Sequence, residues 1–113
     1  MAIDYDTDIG QVRVLIADVD EDNLLLTDEQ IRAYLKIARG RIKRAAAQAL
    51  DAIAASEVLI SKKIRTQDLQ TDGPAVAAEL RAQAKALREQ ADEEDEDWGM
   101  EIVYFDPNAA YRG

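Results

Sequence analysis

The stretch from Arg41 to Arg65, RIKRAAAQALDAIAASEVLISKKIR, constrains the fold more than any other part of the chain. It contains neither proline nor glycine, and alanine, leucine, glutamine, lysine and arginine are all strong helix formers. Its larger apolar residues recur at helical spacing, and they are Ile42, Leu50, Ile53, Ile60 and Ile64. As one helix the stretch would be about 37 Å long at about 1.5 Å per residue. Its many alanines would let other helices approach closely, so the sequence predicts a central helix with neighbours around it.

The remaining chain indicates three further helices of ordinary length. Caps and apolar spacing place these helices at about residues 8–17, 28–38 and 74–94. We therefore expect a mainly α fold, in which residues 1–94 form a small bundle of about four helices around the long alanine-rich central helix. Residues 95–113 are expected to form a separate C-terminal arm in an extended or β conformation.

Each of these helices has a predicted buried face, which in the second helix consists of Ile31, Tyr34 and Leu35, with Ile37 at its end. In the first helix that face consists of Ile9, Val12, Leu15 and Ile16. Arg13 is expected to lie outside it. In the last helix the apolar stripe consists of Val76, Leu80, Ala84, Leu87 and Ala91. A stripe of this kind favours packing on the parent domain.

The composition excludes several kinds of chemistry. The chain has no cysteine and no histidine, which removes disulfides, the usual zinc ligands and the commonest general base. Its carboxylates cluster in turns and in one charged run, so we predict neither an enzyme nor a cofactor site. The formal net charge of −9 argues against nucleic acid or an anionic membrane as the main partner. No apolar run is long enough to span a membrane, which favours a protein of the cytosol or of an assembly built there.

The charge is divided between a basic middle and acidic ends. Between Arg32 and Arg65 there are nine bases and two acids. Such a chain can pair with copies of itself, and solvated faces or complementation of helix dipoles are the alternatives. The bases predicted as subunit-interface candidates are Arg39, Arg41, Lys43, Arg44, Lys62, Lys63 and Arg65.

The stretch from Asp18 to Glu29 partly fits a calcium-binding loop. Asp18, Asp20, Asp22 and Glu29 occupy positions 1, 3, 5 and 12 of that template. However, an asparagine stands where the template has glycine, and Leu26 stands where a polar ligand is usual. The alternative is an acidic turn followed by a capped helix, because Thr27 and Gln30 fit a capping box.

The end of the chain differs from the rest in composition. The acidic run Asp92–Asp97 is expected to be a solvated linker where the preceding helix frays. After it, apolar residues alternate with others in a stretch rich in β-formers, and one isolated strand must pair with something. The partner could be the N-terminal segment, another subunit or a different protein, and the charged tether favours β-augmentation. The predicted partner-binding residues are Trp98, Met100, Ile102, Val103, Tyr104, Phe105, Pro107, Tyr111 and Arg112.

The order of these features resembles a known family. The segments that carry the resemblance are LIADVDEDN, LLTDEQIRAYL, SKKIRTQDLQTDGPAVAAELRAQAKALREQA and the ending FDPNAAYRG. The resemblance in the order of features extends over nearly the entire chain. These segments resemble the head–tail connector proteins of long-tailed bacteriophages, also called adaptor or head-completion proteins.

The resemblance implies a structural protein of the virion neck that is assembled in the host cytoplasm. Members of this family form a ring, usually of twelve copies, beneath the portal protein of a filled capsid. The ring extends the DNA channel without sequence-specific binding and provides a docking surface for the next neck, stopper or tail protein. The C-terminal segment typically reaches towards the portal, and in this chain that segment is Trp98–Gly113.

Overall fold

The computed structural model describes residues 2–67 and 72–103, with side chains up to residue 95. These ranges contain five helices: α1 (Asp8–Ile16), α2 (Asp28–Ile37), α3 (Ile42–Ala54), α4 (Glu57–Thr66) and α5 (Gly73–Val103). No strand forms in the described ranges. The prediction of a mainly α fold is therefore confirmed.

Helix α3 lies at the centre of the fold. It packs against α1, α2, α4 and α5. Four of its alanines are completely buried, and they are Ala45, Ala46, Ala47 and Ala49. Leu50 and Ile53 fill the remaining space between the helices. Because the side chain at these four alanine positions is only a methyl group, other helices can pack closely against α3 from several sides.

The predicted central helix of 25 residues is wrong in one respect, because it is broken near Ser56. Ala54 is the last residue of α3 and Glu57 is the first of α4. The backbone of Ser56 is extended, and the Leu59 amide donates a hydrogen bond to the Ser56 hydroxyl at 3.2 Å. A serine that caps a helix in this way competes with the continuous helical ladder. The break turns α4 into a separate, shorter element that also contacts α5.

Helix α5 runs antiparallel to α3, as the positions of its polar contacts show. Arg88 pairs with Asp51 at 2.7 Å, and Arg44 pairs with Asp92 at 2.8 Å. The predicted apolar stripe packs inward, since Leu80, Ala84, Leu87 and Ala91 are buried.

The chain does not become a solvated linker after this stripe, contrary to the prediction. Helix α5 continues through the acidic run to Val103 and crosses the predicted boundary at residue 95. The predicted extended conformation is therefore wrong for Trp98–Val103, which are helical. A physical reason is that three acids of this run, Asp92, Glu94 and Asp95, pair with bases at the beginning of α3. The remainder of the predicted arm, residues 104–113, lies outside the described residues.

The N-terminal segment, residues 2–7, is fixed on the surface of α1. The Thr7 hydroxyl accepts a hydrogen bond from the Gly10 amide at 3.0 Å and donates one to the Asp4 carbonyl at 2.7 Å. The Ile3 amide donates to the Glu21 carboxylate at 2.9 Å. The backbone of Asp4 and Tyr5 passes so close to Gly10 that any β-carbon there would overlap it. Because Gly10 has no side chain, it leaves room for the backbone of this segment.

We predict that Gly10→Ala lowers the free energy of unfolding by about 1–3 kcal/mol, because the new methyl group must displace the Asp4 backbone. Urea unfolding followed by circular dichroism would measure this change. Gly73→Ala is the matched control, since its β-carbon would meet Ile60 at an ordinary distance of 3.6 Å. Equal stabilities of the two variants would contradict the close approach at Gly10.

Candidate interaction site

Arg13 and Asp18 form a buried ion pair between α1 and the following loop. Their side chains are 1% and 2% exposed, and Arg13 Nη1 donates to Asp18 Oδ2 at 2.9 Å. The other guanidinium nitrogen, Nη2, donates to the Leu26 carbonyl at 3.1 Å and to Asp28 at 2.7 Å. The expectation that Arg13 lies outside was wrong, because this single side chain joins α1, the loop and the start of α2.

Both oxygens of the Asp18 carboxylate accept hydrogen bonds from groups of the protein itself. Its Oδ1 accepts from the Leu25 amide at 2.9 Å, and its Oδ2 accepts from the Leu26 amide at 3.1 Å. Asp18 therefore holds the loop inward, with its carboxylate directed at Arg13 and the two backbone amides. Asp20 instead accepts hydrogen bonds from the Asp22 amide and the Asn23 side chain, as in an ordinary Asx turn.

The structure does not assemble the calcium-loop residues into a site. Among the described residues, no group of three or more acidic, cysteine or histidine side chains is placed to hold a metal ion. The alternative interpretation of this stretch is confirmed. The Thr27 hydroxyl accepts from the Gln30 amide at 3.1 Å, and the Thr27 amide donates to the Gln30 side chain at 2.8 Å.

We predict that Asp18→Asn lowers the free energy of unfolding by about 3 kcal/mol, because it leaves the buried Arg13 cation without its buried carboxylate partner. Chemical denaturation would measure the change. Asp20→Asn is the control, since that carboxylate is exposed in the same loop. If the two variants were equally stable, Asp18 would have no structural role beyond that of a surface turn residue.

A second cluster of charges joins the beginning of α3 to the acidic run of α5. Arg41 pairs with Asp95, and Lys43 pairs with Glu94. Arg44 binds two carboxylates, that of Asp92 at 2.8 Å and that of Asp95 at 2.6 Å. We call these residues the charge clamp, which consists of Arg41, Lys43, Arg44, Asp92, Glu94 and Asp95. Three of the predicted interface bases thus have partners within their own chain.

The charge clamp offsets the unfavourable position of bases at the beginning of α3. Lys43 and Arg44 stand in the first turn of α3, where the positive end of the helix dipole disfavours bases. The hydrogen bond from Arg44, aided by Arg41, lowers the pKa of Asp95 below its ordinary value. The hydrogen bonds to Asp95 and Asp92 raise the pKa of Arg44. The clamp therefore favours the ionised form of both partners.

The other predicted interface bases have different surroundings. Lys62 donates to the Leu24 carbonyl at 2.7 Å, so it fixes the loop before α2. Lys63 is buried and donates to the Gln67 side chain at 2.9 Å, and burial lowers the pKa of Lys63. Arg39 and Arg65 are exposed, and neither forms an ion pair with a described residue. Their assignment to a subunit interface stays a prediction.

An open groove lies beside the charge clamp. Its apolar lining comes from Tyr5, Val14, Leu15 and Ile42, and it has a volume of about 610 Å³. Lys43 and Glu94 stand at its edge. The expectation that Leu15 is buried was wrong, because Arg13 turns inward and Leu15 remains 37% exposed. The structure thus brings an apolar groove and the base of the predicted arm close together.

No family model matches this chain, and neither the curated proteins nor the solved structures include a match. Within the part of the chain that the structure describes, no helix is long and apolar enough to cross a membrane.

We predict that Asp95→Asn lowers the melting temperature at neutral pH, because it removes the carboxylate shared by Arg41 and Arg44. The folded-state pKa of Asp95 lies below its ordinary value of 3.8, so its contribution is present above that pH and is lost as the pH falls through the lowered pKa. The difference from the wild type should therefore disappear in acid. It should also shrink in about 1 M salt, where the Debye length is about 3 Å.

Thermal unfolding at several pH values would measure this difference. Glu93→Gln is the matched control, since Glu93 belongs to the same acidic run, is exposed and pairs with no described residue. A melting temperature of Asp95→Asn equal to that of the wild type would show that the charge clamp does not stabilise the fold.

Proposed function

We propose that this protein is a structural subunit of a bacteriophage neck, namely a head–tail connector or adaptor. In this role copies of the chain form a ring of about twelve, the size usual in the family it resembles. The ring binds the portal protein, extends the DNA channel, and offers a docking surface to the next neck, stopper or tail protein. The site of action is the virion, at the junction of head and tail.

The observation that carries this proposal is the attachment of α5 to the beginning of α3 by the charge clamp. The clamp holds α5 at Asp92–Asp95, and the helix continues from there to Val103. A long helix fixed at its base by ion pairs can present the next segment of the chain at a defined place. In this protein the next segment begins with Tyr104 and Phe105, whose aromatic side chains are suited to burial in a partner.

The net charge of the chain also supports a role in forming a DNA channel. A net charge of −9 gives a surface that does not retain phosphates, and DNA must leave a channel as readily as it enters. The acids of the charge clamp neutralise several of the bases that could otherwise attract DNA. Sequence-specific DNA binding is not part of the proposal.

The arm is predicted to bind the portal protein through its aromatic side chains. Tyr104→Ser combined with Phe105→Ser should reduce affinity for the cognate portal ring by at least about tenfold, since buried aromatic residues commonly dominate such interfaces. Native mass spectrometry and titration of the full-length chain with the portal would measure the loss.

Asn108→Ser combined with Ala109→Ser is the control, because it changes the same arm without removing an aromatic ring. Circular dichroism should show unchanged helix content in both variants. Portal affinity that is equal in the aromatic variant and the control would remove the arm from the interface. A wild-type chain that never joins the portal would overturn the proposed function.

A further inference from the structure

The outer face of α2 is basic and has no partner in the described chain. Arg32 and Lys36 lie one turn apart on α2, Arg39 follows in the turn after the helix, and all three are exposed. None of the three forms an ion pair with a described residue. Ile37, which was expected to be buried, is the last residue of α2 and is 68% exposed. We call Arg32, Lys36, Ile37 and Arg39 the basic face.

A face of opposite charge lies at the N-terminal segment and α1. Asp4, Asp6 and Asp8 are exposed there, and none of them pairs with a described base. Tyr5 lies between two of them and is 44% exposed. The segment is not loosely attached, because Thr7 and Gly10 fix its backbone on α1. We call these three acids, together with the groove lined by Tyr5, Val14, Leu15 and Ile42, the acidic face.

The two faces have matching chemistry but do not contact each other through ion pairs within one chain. Among the described residues, the basic face combines unpaired bases with an exposed isoleucine, and the acidic face combines three unpaired acids with a groove in which Lys43 is already paired with Glu94. Charged groups around exposed apolar surface are typical of a protein interface. The groove has an apolar lining that can accept a branched aliphatic side chain such as Ile37. DNA would match the basic face alone, and it would leave the groove and the exposed isoleucine unexplained.

We propose that the basic face of one copy of this chain binds the acidic face of another, with Ile37 entering the groove beside Tyr5 and Val14. Such a contact joins two different surfaces, so each copy retains one unused face of each kind and can bind a further copy. Repetition with the right rotation closes a ring. This inference deepens the proposed connector function and rests on it, since it names the surfaces through which the ring forms.

The contact can be tested by exchanging charges between the two faces of the full-length chain. The basic-face variant is Arg32→Glu with Lys36→Glu, and the acidic-face variant is Asp6→Lys with Asp8→Lys. Each should reduce self-association at low salt by at least about tenfold in analytical ultracentrifugation, because each places like charges across the contact. An equimolar mixture of the two variants should associate again. In the mixture, the reversed basic face of one variant meets the reversed acidic face of the other, and the two faces that were left native also meet.

The matched control for the basic-face variant is Arg81→Glu with Lys85→Glu, which makes the same change in net charge at exposed positions of α5 outside both faces. It should associate like the wild type. Ile37→Ser should weaken association, whereas Val58→Ser should not, although Val58 is even more exposed at 76%. Circular dichroism would confirm that each variant is folded, and recovery in the mixture excludes misfolding as the cause of any loss.

Two results would overturn the proposed contact. One is a wild-type chain that remains monomeric at low salt, and the other is equal association of the wild type and both charge-reversed variants. The second result would leave the connector function intact if the chain still bound the portal through its arm. Conversely, a restored mixture together with no portal binding by the wild type would support the contact and remove the proposed function.

Discussion

Close packing around α3 is the constraint on which the rest of this structure depends. Helices can approach α3 on several sides because Ala45, Ala46, Ala47 and Ala49 present only methyl groups. A larger side chain at these positions would separate the helices and open voids, since protein interiors are packed as densely as organic crystals. The ion pairs of the charge clamp also require this approach, because it brings the start of α3 within reach of the acidic run of α5.

Two ion-pair systems perform different tasks in this fold. The Arg13–Asp18 pair is buried, and its hydrogen bonds to the backbone of Leu25 and Leu26 determine the path of the loop. Such a pair specifies geometry more than it adds stability, because desolvation offsets much of its attraction. The charge clamp is largely exposed, and each of its pairs contributes little alone. Its role is to attach the Asp92–Asp95 stretch of α5 to the beginning of α3.

The exposed surfaces that remain after these interactions are the ones that bear on function. Once the charge clamp has engaged Arg41, Lys43 and Arg44, the bases of the basic face remain on the surface. Because Arg13 turns inward, Val14 and Leu15 are left outside and line a groove. The same contacts that stabilise the chain therefore separate a basic face from an acidic one. A head-to-tail assembly needs such an asymmetry between two surfaces of one subunit.

Local sequence patterns were sufficient to predict the helices and much of the core. The Thr27–Gln30 capping box and the stripe of α5 could be recognised because capping and helical periodicity involve only near neighbours along the chain. The break at Ser56 had a local signal too, a capping serine followed by an acidic residue in the first turn, but the surrounding alanines favoured one continuous helix.

Only the tertiary structure decided which charges pair. Asp18 fits a calcium-loop template in sequence, yet its carboxylate folds inward because Arg13 and two backbone amides meet it there. Asp92–Asp97 has the composition of a solvated linker, yet it stays helical because bases some 50 residues earlier along the chain lie opposite it. The sequence by itself determined most of the helical segments, because capping and periodicity depend on neighbouring residues, whereas the extent of α5 depended on contacts with α3. The three-dimensional packing determined the role of each charge, because an electrostatic interaction depends on distance in space and not on distance along the chain.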